Sequence, residues 1–271
     1  MKLKTITSYI LLFLIISSTL TAQNYSDLSN RYKWIGIFVK DSTNNRQVIK
    51  TNDRFYNFRD SIKRLLNSGY IVDDLKYGNG KWIGIFSKNI SNISQIYIET
   101  TRWTDMDKKI SEQWNKGYRI IDIEYGLGKW IALFSKDSGY TNQGYDRVAN
   151  ISDFREVIID RWNRGFSLIA VEYGEGKWLG IFSKGDILAH QTMNIRGYWP
   201  DMCNAIEEQW KNGSKLISLT YGLNRWFALF TKSSNYKQQG YEASHTIKDF
   251  MKILSNRNQD GFRLINLSQG W

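Results

Sequence analysis

The chain has 271 residues, a formal net charge of +11, a single cysteine (Cys203) and a single proline (Pro200). One cysteine excludes an internal disulfide framework, and the abundance of aromatics with so little proline excludes a linker-like polymer. The charge admits an anionic partner or simply a solubilising surface; without a clustered basic run the second reading is preferred.

Residues 1–22 read as a secretory signal peptide: a basic start at Lys2 and Lys4, an apolar run from Tyr9 to Ile16, and small residues up to Ala22. The run is too short to span a bilayer, and no cysteine near the cut suggests a lipid anchor. A secreted or periplasmic location is therefore expected, with no membrane span after cleavage. A short lead, 23–31, then enters one domain over 32–271.

That domain is written five times. Trp34, Trp82, Trp130, Trp178 and Trp226 recur every 48 residues, as do Gly69, Gly117, Gly165, Gly213 and Gly261. Approximate units are 34–81, 82–129, 130–177, 178–225 and 226–271. Each reads as strand, strand, helix, strand. The first strand ("WIGIFSK") is apolar on both faces, so it is expected to be buried on both, with a small mid-strand residue (Gly36, Gly84, Ala132, Gly180, Ala228) making room for a bulky neighbour. A short second strand follows, as in "QIYIET". The helix is expected to be capped at Asn57, Asp105, Asp153, Asp201 or Asp249 and to end at the recurrent glycine. A third strand ("SLIAVEYG") leads into "YGEGKW", a hairpin in which Gly174 and Gly176 are expected to take positive φ. The domain begins on a first strand and finishes on a third, so residues 262–269 are expected to pair with 33–40. The fold class is thus an α/β (α+β) repeat protein of five 48-residue strand–strand–helix–strand units, expected to close into a five-bladed propeller-like ring.

The stretch "FSKDSGYTNQGYDRVANISDFREVIIDRWNRGF" carries Trp130 just before it and Gly139, Tyr140, Gln143, Tyr145, Trp162 and Gly165 within it. It resembles a domain of unknown function that forms the C-terminal region of plant casein-kinase-I-like kinases and occurs in bacterial proteins. The resemblance implies a non-catalytic accessory or binding domain, and the chain has no glycine-rich phosphate loop or kinase catalytic motif. By architecture the units also look like the pentein α/β-propeller, a fold that includes guanidine-modifying enzymes with Cys and His catalysts; the analogy carries no function.

Candidate binding residues repeat with the array. Gln47, Gln95, Gln143, Gln191 and Gln239 hold one position in all five units. Their amides suit either a backbone-satisfying role, which is preferred, or a ligand presented five times. Tyr97, Tyr145 and Tyr241 lie nearby. Lys88, Lys136, Lys184 and Lys232 close the first strands, as Lys40 does, and could draw an anion or merely reach into water. Most tryptophans hold repeated core positions rather than platforms. No catalytic group is expected: His190 and His245 occupy different repeat positions, and a Cys203–His245 pair is disfavoured. No metal ligand spacing and no cofactor motif are present. The function expected is a secreted, non-enzymatic binding module for a glycan, an anionic polymer or a protein, nucleic acid being disfavoured. The alternative is an exported hydrolase or guanidine-modifying enzyme on a pentein-like scaffold.

Overall fold

A computed structural model describes residues 32–41, 46–88, 91–185, 188 and 190–271. The expected signal peptide and lead lie outside the described residues. Five helices and fifteen strands follow one another in the order β1 (Lys33–Lys40), β2 (Val48–Asn52), α1 (Phe55–Asn67), β3 (Tyr70–Gly78), β4 (Lys81–Lys88), β5 (Gln95–Thr100), α2 (Trp103–Asn115), β6 (Arg119–Gly126), β7 (Lys129–Ser135), β8 (Gln143–Val148), α3 (Ile151–Asn163), β9 (Ser167–Gly174), β10 (Lys177–Ser183), β11 (Gln191–Arg196), α4 (Trp199–Lys211), β12 (Lys215–Gly222), β13 (Arg225–Thr231), β14 (Gln238–Ser244), α5 (Ile247–Gln259) and β15 (Arg263–Gly270). The repeated strand–strand–helix–strand unit is therefore present five times.

The strands form five small antiparallel sheets of three strands each, ordered β2-β4-β3, β5-β7-β6, β8-β10-β9, β11-β13-β12 and β14-β1-β15. Each sheet takes its central strand from the unit that follows in sequence. The last sheet takes it from the start of the domain: β1 pairs with β14 on one side and β15 on the other, with Trp34 opposite Gln269 and Val39 opposite Arg263. The pairing expected between 33–40 and 262–269 is present. Third strands of successive sheets lie beside one another, β3 by β6, β6 by β9, β9 by β12 and β12 by β15, and β15 also lies beside β3.

The central strands are buried along almost their whole length, and Trp34, Trp82, Trp130, Trp178 and Trp226 are at most 1% exposed. Room for the helix is made at mid-strand. A Cβ on Gly36 would lie 2.3 Å from the ring of Phe250, and one on Gly180 would lie 3.0 Å from Phe154. Where the strand carries Ala132 or Ala228, the helix carries the slimmer Met106 or Met202 in the same cluster.

Two local expectations need correction. The hairpin residues with positive φ are Glu175 (51°) and Gly176 (70°), matched by Asn79–Gly80, Leu127–Gly128 and Leu223–Asn224. A two-residue turn of this mirror-image type matches the strand twist. Gly174 itself belongs to β9, paired with Lys177, and is small because a Cβ there would lie 2.6 Å from the rings of Trp130 and Tyr125. The helix caps are also displaced. The cap residues are Arg54, Arg102, Asn150, Tyr198 and Thr246, and the residues taken for caps sit three positions later. In α3 and α5 the two work as a pair: Asn150 accepts from the Asp153 N–H and Thr246 from that of Asp249, while the carboxylates bond back to the cap side chains. The helix-ending glycines have φ between 75° and 82°, as expected.

Candidate functional site

The third strand is one of the two edge strands of each sheet, so one row of its N–H and C=O groups lacks a strand partner. The recurrent glutamine of the adjacent sheet fills that gap. Gln143 accepts from Ile120 N–H (2.8 Å) through Oε1 and donates to Ile120 C=O (2.7 Å) through Nε2. Gln95 does the same at Val72, Gln191 at Leu168, Gln239 at Leu216, and Gln47 at Leu264. The gripped residue is always at the bulge of the third strand, where the register slips by one. Three clamps are reinforced by an indole: Trp114, Trp162 and Trp210 donate to the glutamine oxygen at 2.7–2.9 Å. The amides hold one sheet to the next.

The tyrosines and lysines are likewise occupied. Tyr145 packs edge-on against Trp103 and donates its hydroxyl to Asp107; burial, then that carboxylate, pushes its pKa up to about 12. Tyr97 packs in the cluster around Phe58 and Trp82, and burial followed by Glu99 pushes it up to about 12. Tyr241 is buried, edge-on to Trp199. Lys88, Lys136 and Lys184 are exposed at the helix C-terminal ends, each ammonium 4.2–5.0 Å from the ring of Tyr70, Tyr118 or Phe166. Lys88 also donates to Ser68 C=O, and Lys40 to Asp260 C=O. A cation at the negative end of a helix over an aromatic face is a stabilising arrangement repeated per unit. Lys232 is exposed, but Ser214 stands where the others have a ring.

Two features escaped the sequence reading. The first is a buried charged cluster on the neighbouring third strands. Lys76 of β3 donates to Glu124 of β6 (2.5 Å) and Glu172 of β9 (3.3 Å), with Asp74 and Asp122 close by. Burial works against the Lys76 charge, but the surrounding carboxylates outweigh it and hold the ammonium well above the ordinary lysine range. Burial, aided by Glu172, raises Glu124 well above the usual carboxylate range; burial also raises Glu172, Asp122 and, strongly, Asp74. Most of the acceptors are used structurally: Asp122 takes Leu75 N–H, Asp74 takes Leu267 N–H, and Glu124 takes Tyr77 N–H. In the remaining units Thr220 and Ser268 donate to the carbonyls of Val171 and Leu219. The signal was the polar residue immediately before the tyrosine-glycine pair and its partner two residues earlier on the same face, as in "DLKYG" and "DIEYG".

The second is an open cleft of about 610 Å³ lined by Gly197, Tyr198, Trp199, Tyr221, Asn224, Arg225 and Trp271. Tyr198 is 75% exposed and Trp271 49% exposed, and Tyr32 lies against Trp271 with ring centroids 4.6 Å apart. Trp271 is tied down through its main chain, whose carbonyl accepts from the Trp226 indole at 2.7 Å. Tyr221 and Asn224 hydrogen bond to each other along the floor. Its polar groups and wide aromatic faces suit reversible binding, and it contains neither histidine nor cysteine.

Cys203 is half-buried in α4; burial pushes its thiol pKa up, away from the nucleophilic thiolate. His245 lies with Nδ1 3.3 Å from the carbonyl of Tyr32. Among the described residues no group of three or more His, Cys, Asp or Glu side chains is arranged to hold a metal, and no helix is long and apolar enough to cross a membrane.

No curated protein matches the chain. A family model described as a domain of unknown function (DUF7477) matches residues 127–270, from the turn before β7 to the end of β15. That is three repeat periods and more than half of the sequence, so the chain belongs to the DUF7477 family.

Proposed function

We propose that this chain is an exported, non-enzymatic binding module whose five units close into a propeller-like ring. The observation that carries the binding reading is the cleft at Tyr198, Arg225 and Trp271. The glutamine clamps and the repeated core tryptophans are engaged in joining sheets or in packing, whereas the rings of Tyr198 and Trp271 are exposed. Exposed aromatic surface beside a few polar groups is the usual composition of a ligand site.

The ring reading is supported by contacts that wrap around. Leu75 N–H bonds to Asp122 and Leu219 N–H to Asn266, each 47 positions on. Leu267 N–H bonds to Asp74, the same step carried across the junction of the two ends. The Gln47 clamp on Leu264 crosses that junction too. Export rests on the signal peptide read in residues 1–22. The likeness to the C-terminal domain of casein-kinase-I-like kinases supports the non-enzymatic reading, since their chemistry lies in another domain.

A rival reading is an exported hydrolase or guanidine-modifying enzyme; its cysteine-dependent form would need a thiolate at Cys203, and burial disfavours that form. The test is a screen of glycans, polyanions and extracellular proteins against the wild-type protein and a Tyr198→Ala/Trp271→Ala variant. A ligand retained by the variant would move the function off the cleft. Turnover of a guanidino or ester substrate that Cys203→Ser abolishes would overturn the non-enzymatic reading.

A further inference from the structure

We propose that the cleft takes an acidic oligosaccharide, one sugar ring lying on Trp271 and Tyr198 with its carboxylate or sulfate on Arg225. This rests on the binding-module reading and names its ligand class. The cleft is built from departures from the repeat. At the place of Tyr198 the other units carry Arg54, Arg102, Asn150 and Thr246, and at the place of Arg225 they carry Lys33, Lys81, Lys129 and Lys177. Gly197 replaces Asp53, Thr101, Ala149 and His245. Trp271 stands where the hairpin residues Asn79, Leu127, Glu175 and Leu223 stand elsewhere. Four departures meet in one cleft, and none is needed to build a unit that the other copies build without it.

Their chemistry is complementary. A Cβ at position 197 would lie 3.0 Å from Arg225 Nη1, so glycine lets the guanidinium lie flat along the backbone there. Arg225 is exposed, donates only to the carbonyl of Asn224, and has no carboxylate partner among the described residues. A planar fork in place of lysine suits two oxygens of one acid group, which a lysine cannot grip in the same way. Tyr198 and Trp271 offer broad apolar faces to the C–H side of a sugar ring, and the Asn224 amide offers hydroxyl partners. A net positive charge on the whole chain favours the approach of a polyanion.

The test is titration of the purified protein with tetragalacturonate, a heparin-derived tetrasaccharide, neutral maltotetraose and a short oligothymidylate, followed by tryptophan fluorescence and calorimetry. The two acidic sugars separate a carboxylate from a sulfate preference. Expected is binding of at least one acidic sugar, roughly tenfold or more tighter than maltotetraose, with Arg225→Ala removing that margin. Tyr198→Ala is expected to weaken the acidic sugar by a similar factor at unchanged melting temperature; it serves also if Trp271→Ala fails to fold. Equal binding of the neutral sugar, insensitivity to Arg225→Ala and Tyr198→Ala, or preference for the oligothymidylate would overturn the proposal. If no sugar binds while the broader screen yields a cleft-dependent ligand, the glycan assignment falls and the binding module stands.

Discussion

Gly174 and Gly176 stand two residues apart in one hairpin, and different forces keep each a glycine. Gly176 needs a left-handed backbone, which Asn224 also adopts at the equivalent site. Gly174 needs space against Trp130 and Tyr125. Gly174→Ala is therefore expected to destabilise by about 1–3 kcal/mol through overpacking, and Gly176→Asn by less than about 1 kcal/mol. Chemical denaturation separates the two; equal losses would contradict the steric account. The turn was legible in the sequence, but its two glycines were not distinguishable there, because the contact on Gly174 comes from the preceding sheet. Lys76 makes a second test. Lys76→Met leaves four carboxylates buried without their cation and is expected to cost about 3–5 kcal/mol near neutral pH. Without the ammonium, the already raised carboxylate pKa values rise further above their unfolded values. The folded state then binds more protons than the unfolded state through that window, so stability falls as pH rises across it. The urea midpoint of the variant should be closer to wild type at about pH 5 than at about pH 8; a pH-independent deficit would show that the cluster is not charged as described.

The glutamine clamp joins elements rather than residues. Gln143→Leu leaves the Ile120 N–H and C=O without their partner and the Trp114 indole without its acceptor. A loss of about 1–3 kcal/mol is expected, measured by thermal or urea unfolding. A stable variant would return the glutamine to the list of ligand contacts. The period-48 recurrence made these five residues visible at once, yet what they grip was hidden. In four of the five the partner lies 23 residues earlier, and for Gln47 it is Leu264 near the other end of the chain, always on another sheet at a bulge with no local sequence mark. Strands and helices were legible for the opposite reason: the buried central strand, the helix and its terminal glycine are each written locally. The caps were misplaced because only Asn150 and Thr246 are strong cap residues, while an acidic or amide residue recurs three positions later in all five units.

At the scale of the molecule, the terminal pairing decides how the fold comes apart. A linear array would lose one end on truncation and keep the rest. Here β15 supplies one neighbour of β1, the residue held by Gln47 and the N–H held by Asp74. Removing residues 260–271 is expected to lower the stability of all five units in one cooperative transition; near wild-type melting would contradict a ring. The repeat announced the five units, and the domain's first and last strands announced the pairing. The cleft could not be reached that way, since it consists of departures from the period, which a search for recurrence sets aside.

The place of β1 in the last sheet has one more consequence. The strand precedes both of its neighbours in the chain, so for most of synthesis it is an unpaired segment, apolar between Lys33 and Lys40, with both edges open. Nothing in the pairing distinguishes a β1 from the same chain and one from a second chain. Two molecules can therefore trade first strands and form the same contacts reciprocally, a domain swap built into the terminal pairing. Refolding at high protein concentration is expected to yield such exchanged dimers, detectable by size-exclusion chromatography and persisting after dilution, while dilute refolding yields monomers.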